Sequence, residues 1–523
     1  MRFSQTLKSS GHCLPSPDGK HIATLFSSII NVRAVRALEV VHVVTLPPDF
    51  TGPVLSLQWS PSSRLLLVAG AKQIRVLSAL DHSFHATIKN PVAPGTKPAY
   101  VGFGASDTEI CVISAFGLKF AVHDLASSKT TEIGSPKSSS VAAASGGFSF
   151  RPGTRHLALL TRTAGKDMIS IHDFPKRDVL KSWAPDTVDA QGVTWSPDGR
   201  WLVVWESAAL GHKVIFYTAD GHCFKTWLGP AMTPSDSKDY ALGAGVKSIQ
   251  FSADARHLAV GDWSRRICMF NMASATETLR LQHPGSIVPK DTLQVWQEQI
   301  GISQTGPPIH TFIRTTQVVS PTPAPRPQDS SDPPTGCVSI LFDPSSALLA
   351  TRFEEFPGTV WIWDAQVAEL RAVLLFHGNI SNLSWHPSIQ ETLLIRCEGD
   401  QYSGLVFVWD PLSEGPQLVD FTQRLPDKRV AGKWRASWIG VDSSSPPSLF
   451  FSDAQSYVLA SLSDPNPDSL PWGDREIIEQ GDPMIREESP LELVPAPEAD
   501  LGGLDGEEGD DGSELEDTFL YKQ

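Results

Sequence analysis

Residues Val193-Thr-Trp-Ser-Pro-Asp-Gly-Arg-Trp-Leu-Val203 read as an apolar strand ending in an aromatic ring, a tight polar turn, and a second apolar strand. Proline fixes one backbone angle, and Asp-Gly supplies a short turn whose glycine tolerates positive φ. The phrase returns along the chain. Leu57-Gln-Trp-Ser-Pro-Ser-Ser-Arg-Leu-Leu-Leu67, Phe148-Ser-Phe-Arg-Pro-Gly-Thr-Arg-His-Leu-Ala158 and Ile249-Gln-Phe-Ser-Ala-Asp-Ala-Arg-His-Leu-Ala259 are further copies.

The aromatic that closes the first strand falls at Trp59, Phe103, Phe150, Trp195, Phe251, Phe342, Trp385 and Trp438, and Pro15 takes its place in the opening copy. Successive spacings from Pro15 are 44, 44, 47, 45, 56, 91, 43 and 53 residues. Self-similarity at about 40–45 residues marks a β-propeller in which each copy is one four-stranded blade. Downstream runs such as Ile74-Arg-Val-Leu77 and Ile267-Cys-Met-Phe-Asn271 suit sheets packed on both faces. Val360-Trp-Ile-Trp-Asp364 and Val406-Phe-Val-Trp-Asp410 end in the Trp-Asp pair that closes the third strand of WD repeats. The expected fold is all-β, a WD40-type propeller forming one large ring of eight or nine blades. A seven-bladed ring with extra sheets and two smaller rings remain open alternatives. Ring closure calls for strands near the N-terminus to pair with late ones, since an open ring would expose a sheet edge.

Two segments fall outside the repeats. The 91-residue spacing contains an insertion at about 286–335, Pro-rich and expected to be flexible or polyproline II over 318–335, where proline removes backbone donors. The propeller is expected over 1–463. A disordered acidic tail is expected over 464–523, too polar to bury the surface that would offset its ordering entropy. The net charge of −15 belongs to that tail: residues 471–523 hold 17 of the 58 acids and three of the 43 bases. The body is left with 41 acids against 40 bases. Such a balance does not suit charge-driven binding of nucleic acid or an anionic membrane.

Six cysteines at 13, 111, 223, 268, 337 and 397 form no Cys-x-x-Cys pair, and Cys111 and Cys268 read as small core residues. The opening Met1-Arg-Phe-Ser-Gln-Thr-Leu-Lys8 carries no secretory signal, and no run approaches a membrane span. The chain reads as cytosolic. There is no Gly-x-Ser-x-Gly elbow, P-loop, dinucleotide fingerprint or His-Glu-x-x-His. The expectation is a non-enzyme with no catalytic, cofactor or metal site. His21, His156 and His257 recur at one blade position and so spread around a ring instead of converging on a metal. Asp124, Asp173, Asp364 and Asp410 sit at strand ends, where carboxylates bond turn amides.

Binding loops are expected between the second and third strands of each blade. They include 162–166, 206–213, 262–266, 352–358 and 398–404. Trp263 beside Arg265 and Arg266 is the most partner-like cluster, with Arg352 in a neighbouring loop, because aromatic and Arg side chains dominate interface hot spots. The opposing reading packs Trp263 against an adjacent blade.

The Met1-Arg-Phe-Ser4 opening, Trp195-Ser-Pro-Asp-Gly-Arg-Trp-Leu-Val-Val-Trp205, Lys213-Val-Ile-Phe-Tyr217, Gly245-Val-Lys-Ser-Ile249, His283-Pro284 and Leu349-Ala-Thr-Arg352 through Val360-Trp-Ile-Trp-Asp364 follow one another in a distinctive order. In that order the chain resembles the WD-repeat proteins of spindle poles and centrosomes, the family that includes the one encoded antisense to the p-seventy-three gene. The match covers most of residues 1–410, and the Pro-rich linkers resemble fungal members. The acidic tail departs from the family pattern. The resemblance implies an adaptor at the microtubule-organising centre, in the cytoplasm and cytoskeleton. Its partners would be a coiled-coil microtubule-anchoring protein and a minus-end-directed kinesin-14, with microtubules contacted indirectly. It transfers no binding residue. The large-ring translation initiation factors also carry Trp-Ser-Pro-Asp-Gly turns and give the alternative, an RNA- or ribosome-associated propeller.

Overall fold

The computed structural model describes residues 1–89, 97–137, 146–230, 245–301, 308–325, 336–440, 447–462 and 472. Its strands group into nine sheets, the blades of a propeller. In chain order the blades occupy 13–45, 54–89, 100–134, 148–183, 190–227, 246–282, 337–375, 380–420 and 435–461, and each begins at its inner strand. Inner strands Val54–Trp59, Tyr100–Phe103, Phe148–Phe150, Ala190–Trp195, Val246–Phe251, Cys337–Phe342 and Ile380–Trp385 end on the expected aromatic. The ninth, Arg435–Ile439, runs one residue past Trp438.

Those aromatics recur because several of them join one blade to the preceding one. The indole Nε1 of Trp59 donates to the Leu14 carbonyl at 3.1 Å. Trp385 does the same to Leu341 at 2.9 Å, and Trp438 to Ser384 at 3.0 Å. Period-two alternation does the rest. In the strand Leu65–Gly70, Leu66 and Val68 pack toward blade 1 while Leu67 and Ala69 pack toward blade 3. Both faces of a blade are therefore buried, which is why the strands read as continuous apolar runs. Among the described residues nine apolar clusters form, one at each seam from blades 1 and 2 round to blades 9 and 1. Cys111 and Cys268 are buried in two of them. Inner strands of blades 4 to 7, including Phe148, Trp195, Phe251 and Phe342, line a cavity of about 610 Å³.

The Ser-Pro-Asp-Gly turn is a closed hydrogen-bond unit. Ser196 Oγ donates to Asp198 Oδ1 at 2.5 Å and accepts the Trp201 amide at 3.0 Å. Arg200 N donates to the same carboxylate at 3.1 Å. Ser16 with Asp18 and Ser252 with Asp254 repeat the pattern. Serine at the glycine position adds a stitch between blades. Ser63 Oγ accepts the Asp18 amide at 3.0 Å, and Ser346 Oγ accepts the Asp254 amide at 3.3 Å. The strand-end aspartates bond turn amides as expected: Asp364 takes Gln366 N and Val367 N, Asp173 takes Asp178 N, and Asp410 takes Leu412 N.

The ring closes through the N-terminus. Arg2–Phe3 and Leu7–Lys8 both pair antiparallel with the last strand, Ser456–Ser461, and complete blade 9. Between them Ser4 N donates to the Leu459 carbonyl, and Ser4 Oγ accepts the Leu459 amide, both at 2.9 Å.

Among the described residues, the long spacing between Phe251 and Phe342 adds strands to blade 7 and no tenth blade. Gln294–Gly301 lies parallel to the outer strand Glu369–Leu375, and Ile309–Arg314 pairs with it antiparallel, giving a six-stranded sheet. Within the Pro-rich stretch expected at 318–335, Val319 bridges Ile287 and Ala324 N donates to the Glu355 carbonyl at 2.8 Å; 326–335 lie outside the described residues. Of the expected tail, 464–523, Trp472 alone is described.

Candidate partner-binding face

Turns between second and third strands emerge on one face of the ring, together with the links from each blade to the next. In blade 6 the strands His257–Asp262 and Arg266–Asn271 are joined by Trp263, Ser264 and Arg265. Asp262 organises the turn: its Oδ1 accepts Ser264 N at 2.8 Å and Ser264 Oγ at 2.6 Å. Its Oδ2 lies 3.1 Å from His212 Nε2 of blade 5. With its neighbours so fixed, Trp263 projects and is 42% exposed.

Trp263 faces a cation and an aromatic-acidic loop. Lys247 Nζ lies 4.2 Å from the Trp263 ring centroid and 2.8 Å from Glu354 Oε2 of blade 7. Ammonium over indole is attractive, worth about 0.5–1 kcal/mol at exposed sites. Arg265 Cζ stands 5.9 Å from the ring of Phe356, in the 354–358 turn of blade 7. The Arg265 carbonyl is fixed from behind by His283, whose amide donates at 3.1 Å and whose Nδ1 lies at 3.0 Å. His283 Nε2 in turn accepts from Trp363 Nε1 at 2.9 Å and Thr351 Oγ1 at 2.8 Å. Burial pushes its imidazole down to about 3 and leaves it neutral, so Nδ1 carries the proton. Glu355 stands beside this group, its carboxyl raised by burial despite Arg265 and Lys247 nearby, and its Oε2 is buried with no hydrogen-bond partner.

Of the four residues singled out from sequence, Trp263 and Arg265 share this turn. Arg266 begins the third strand, in register with Gln282. Arg352 lies elsewhere: its Nη1 donates to the Ile380 carbonyl at 2.7 Å, tying blade 7 to blade 8, and burial lowers its guanidinium. Of the side chains around the Trp263 ring, Lys247 is outside the binding loops expected from sequence. Lys247 lies at the start of an inner strand, with no pattern to distinguish it. Glu355 and Phe356 both lie in the 352–358 loop expected on the binding face.

Two more polar constellations stiffen the same face. Asp167, its side chain fully buried, takes Lys137 Nζ at 3.0 Å, Arg162 Nη1 at 3.3 Å and Ala190 N at 2.7 Å. Asp189 is shared by the same two cations, and the Lys137 hydrogen bond holds its carboxyl below the usual range. On the added strands, Glu298 accepts from His310 Nδ1 at 2.6 Å, Tyr402 OH at 2.8 Å and His377 N at 2.7 Å. Desolvation opposes that charge, but the three donors prevail and its carboxyl lies low. Among the described residues no group of three or more His, Cys, Asp or Glu side chains could hold a metal ion. His21 instead stacks on Trp59, with centroids 6.3 Å apart.

No family model matches the chain. It is 26% identical over 431 residues to WD repeat-containing protein WRAP73 of Mus musculus, an alignment spanning 79% of this chain and 87% of that protein. The chain is a nine-bladed β-propeller similar in sequence to WD-repeat proteins. It is also 23% identical over 404 residues to an uncharacterized WD repeat-containing protein of Schizosaccharomyces pombe, covering 75% of this chain and 77% of the relative. The resemblance drawn from the order of motifs therefore holds at modest identity over most of the ring. Among solved structures a eukaryotic initiation factor superposes with a TM-score of 0.49 at 10% identity, covering 78% of this chain and 87% of that one. The nine blades present hydrogen-bonded turns on one face, an arrangement suited to holding other proteins.

Proposed function

We propose that this WD-repeat chain is a non-enzymatic adaptor at the spindle pole or microtubule-organising centre. It would anchor microtubule minus ends and support spindle assembly through a coiled-coil anchoring protein and a minus-end-directed kinesin-14. The observation that supports this reading most is similarity to the mouse WD-repeat protein over 431 residues, with the family's motifs in order through residues 1–410. The Trp263–Arg265 turn fits the role, because an exposed indole flanked by fixed cations can lie along the apolar seam and acidic flanks of a helical partner. The near-neutral body argues against charge-driven capture of microtubules, so contact with them runs through partners. Affinity purification of the tagged chain from mitotic cells, with imaging of its location, tests the proposal. Recovery of a coiled-coil anchor and a kinesin at the poles supports it. Co-purification with polysomes and no polar enrichment would overturn it in favour of the ribosome-associated reading.

A further inference from the structure

The seam between blades 9 and 1 contains a side chain that belongs to neither blade. Trp472 lies beyond the last strand, which ends at Ser461. Its indole Nε1 donates a 3.0 Å hydrogen bond to the Val35 carbonyl, a contact across 437 residues of sequence. The ring is 7% exposed and packs among Ile22, Val35 and Leu38 of blade 1 and Ile439, Phe450 and Leu459 of blade 9. Val35 follows the strand Ile29–Ala34, and its amide donates to the Lys20 carbonyl at 2.8 Å. Its own carbonyl therefore sits in a turn, outside any strand ladder, and is open to an incoming donor.

The location matters because blade 9 is the one the chain assembles from its two ends. The closing strands are two residues each, and four residue pairs connect them to Ser456–Ser461. Burying a tryptophan removes about 150–250 Å² from water, and its N–H needs a partner once buried. Here both conditions are met by groups on blade 1 and blade 9 together.

We propose that this seam is a docking pocket for a tryptophan side chain and that its occupant is Trp472 of the same chain. The N-terminal strands seal blade 9, and the indole then fastens blade 9 to blade 1, so that each chain end secures the other's blade. Full-length Trp472→Ala is expected to melt about 3–5 °C lower, the loss typical of a buried aromatic spread over a domain of this size. A synthetic peptide spanning 468–476, added to that variant, is expected to raise the melting temperature, whereas the same peptide with alanine at position 472 is not. If Trp472→Ala fails to fold, Trp472→Phe keeps an aromatic ring without the N–H donor and should show a smaller fall. Wild-type melting of both variants, or equal rescue by the alanine peptide, overturns the pocket. A dimer seen by light scattering in the wild type and lost in Trp472→Ala would assign the indole to a second copy and overturn the intramolecular clasp.

Discussion

Arg177 in blade 4 closes on Glu109 in blade 3 through two hydrogen bonds, Nε to Oε1 at 2.5 Å and Nη2 to Oε2 at 2.6 Å. Both side chains are almost fully buried, at 2% and 4% exposure. Both Nη1 hydrogens are used as well: they reach the carbonyls of Arg155 at 2.8 Å and Asp173 at 2.9 Å. The guanidinium also lies over the rings of Phe150 and Phe174 at 5.4 and 5.1 Å. Desolvating two charges is costly, and this close pairing with four hydrogen bonds offsets it. Removing one partner strands the other. Arg177→Met is expected to cost about 3–5 kcal/mol of stability, and Glu109→Leu with Arg177→Met distinctly less than the sum of the singles. Urea midpoints of the three variants check this; additive losses would show that the pair is not coupled.

The turn before the second strand of blade 1 makes a sharper demand. Gly19 has φ of +68°, and a Cβ there would lie 2.4 Å from Gly440 Cα. Left-handed backbone alone costs a non-glycine residue about 1–2 kcal/mol, and Ser63, Ala255 and Ser346 tolerate it at equivalent turns. What distinguishes Gly19 is the backbone of blade 9 directly opposite. Gly19→Ala should therefore destabilise more than Gly199→Ala, whose nearest contact is 3.2 Å from the Pro152 carbonyl. Thermal melts of the two variants decide it.

How far such details were legible follows from their physical scale. The inner strands could be read because each ends in a ring and a turn with its own chemistry, as at Trp385 and Trp438. The Trp-Asp endings and turn-bonding aspartates could be read because they act locally. Closure was anticipated in kind, but Arg2–Phe3 and Leu7–Lys8 are too short to carry a period. The added strand Gln294–Gly301 was hidden by its polarity. Glu298 in its middle looks like a surface residue until His310, Tyr402 and the His377 amide are found around it. Trp472 stands alone in a run of Pro, Asp and Ser, and nothing local marks it as buried. Arg352 shows the converse: a loop-flanking arginine read as facing a partner spends its donor on the neighbouring blade.

Stability should fall on mild acidification. His283 and His386 are pushed down by burial to about 3 and about 4. His386 Nδ1 accepts the amides of Ser388 at 3.2 Å and Ile389 at 2.9 Å, a role only the unprotonated nitrogen can fill. An unfolded histidine titrates near 6.5, so below that pH the unfolded chain binds protons that the folded chain refuses. Each such group costs about 1.4 kcal/mol per pH unit, from pH 6.5 down to its folded value. His21, His123, His156 and His172 are shifted in the same direction by burial and add to the slope. In His386→Asn the side-chain oxygen can take the same amides without titrating. Urea midpoints between pH 7.5 and 4.5 should show the slope reduced by one proton; an unchanged slope would remove His386 from the account.

The proposed docking turn makes its own demand on a measurement. Trp263 is held by a turn that Asp262 organises and has a cation above its ring, yet 42% of it remains exposed. Its loss should leave the core intact, so Trp263→Ala is expected to melt within about 1 °C of wild type. If the turn is an interface hot spot, truncation should weaken partner binding at least tenfold, as loss of a buried aromatic anchor typically does. Arg265→Ala tests the same surface by a different force, and its effect should shrink as salt rises, because its charge is screened while an indole's contact is not. Arg352→Ala should behave in the opposite sense: its guanidinium bonds the Ile380 carbonyl, so it should lower the melting temperature before it touches affinity. Binding to the coiled-coil anchor proposed above, measured beside melting curves for all three variants, separates a docking turn from a seam that merely contains an aromatic residue. Unchanged affinity in folded Trp263→Ala and Arg265→Ala would move the interface elsewhere on the ring.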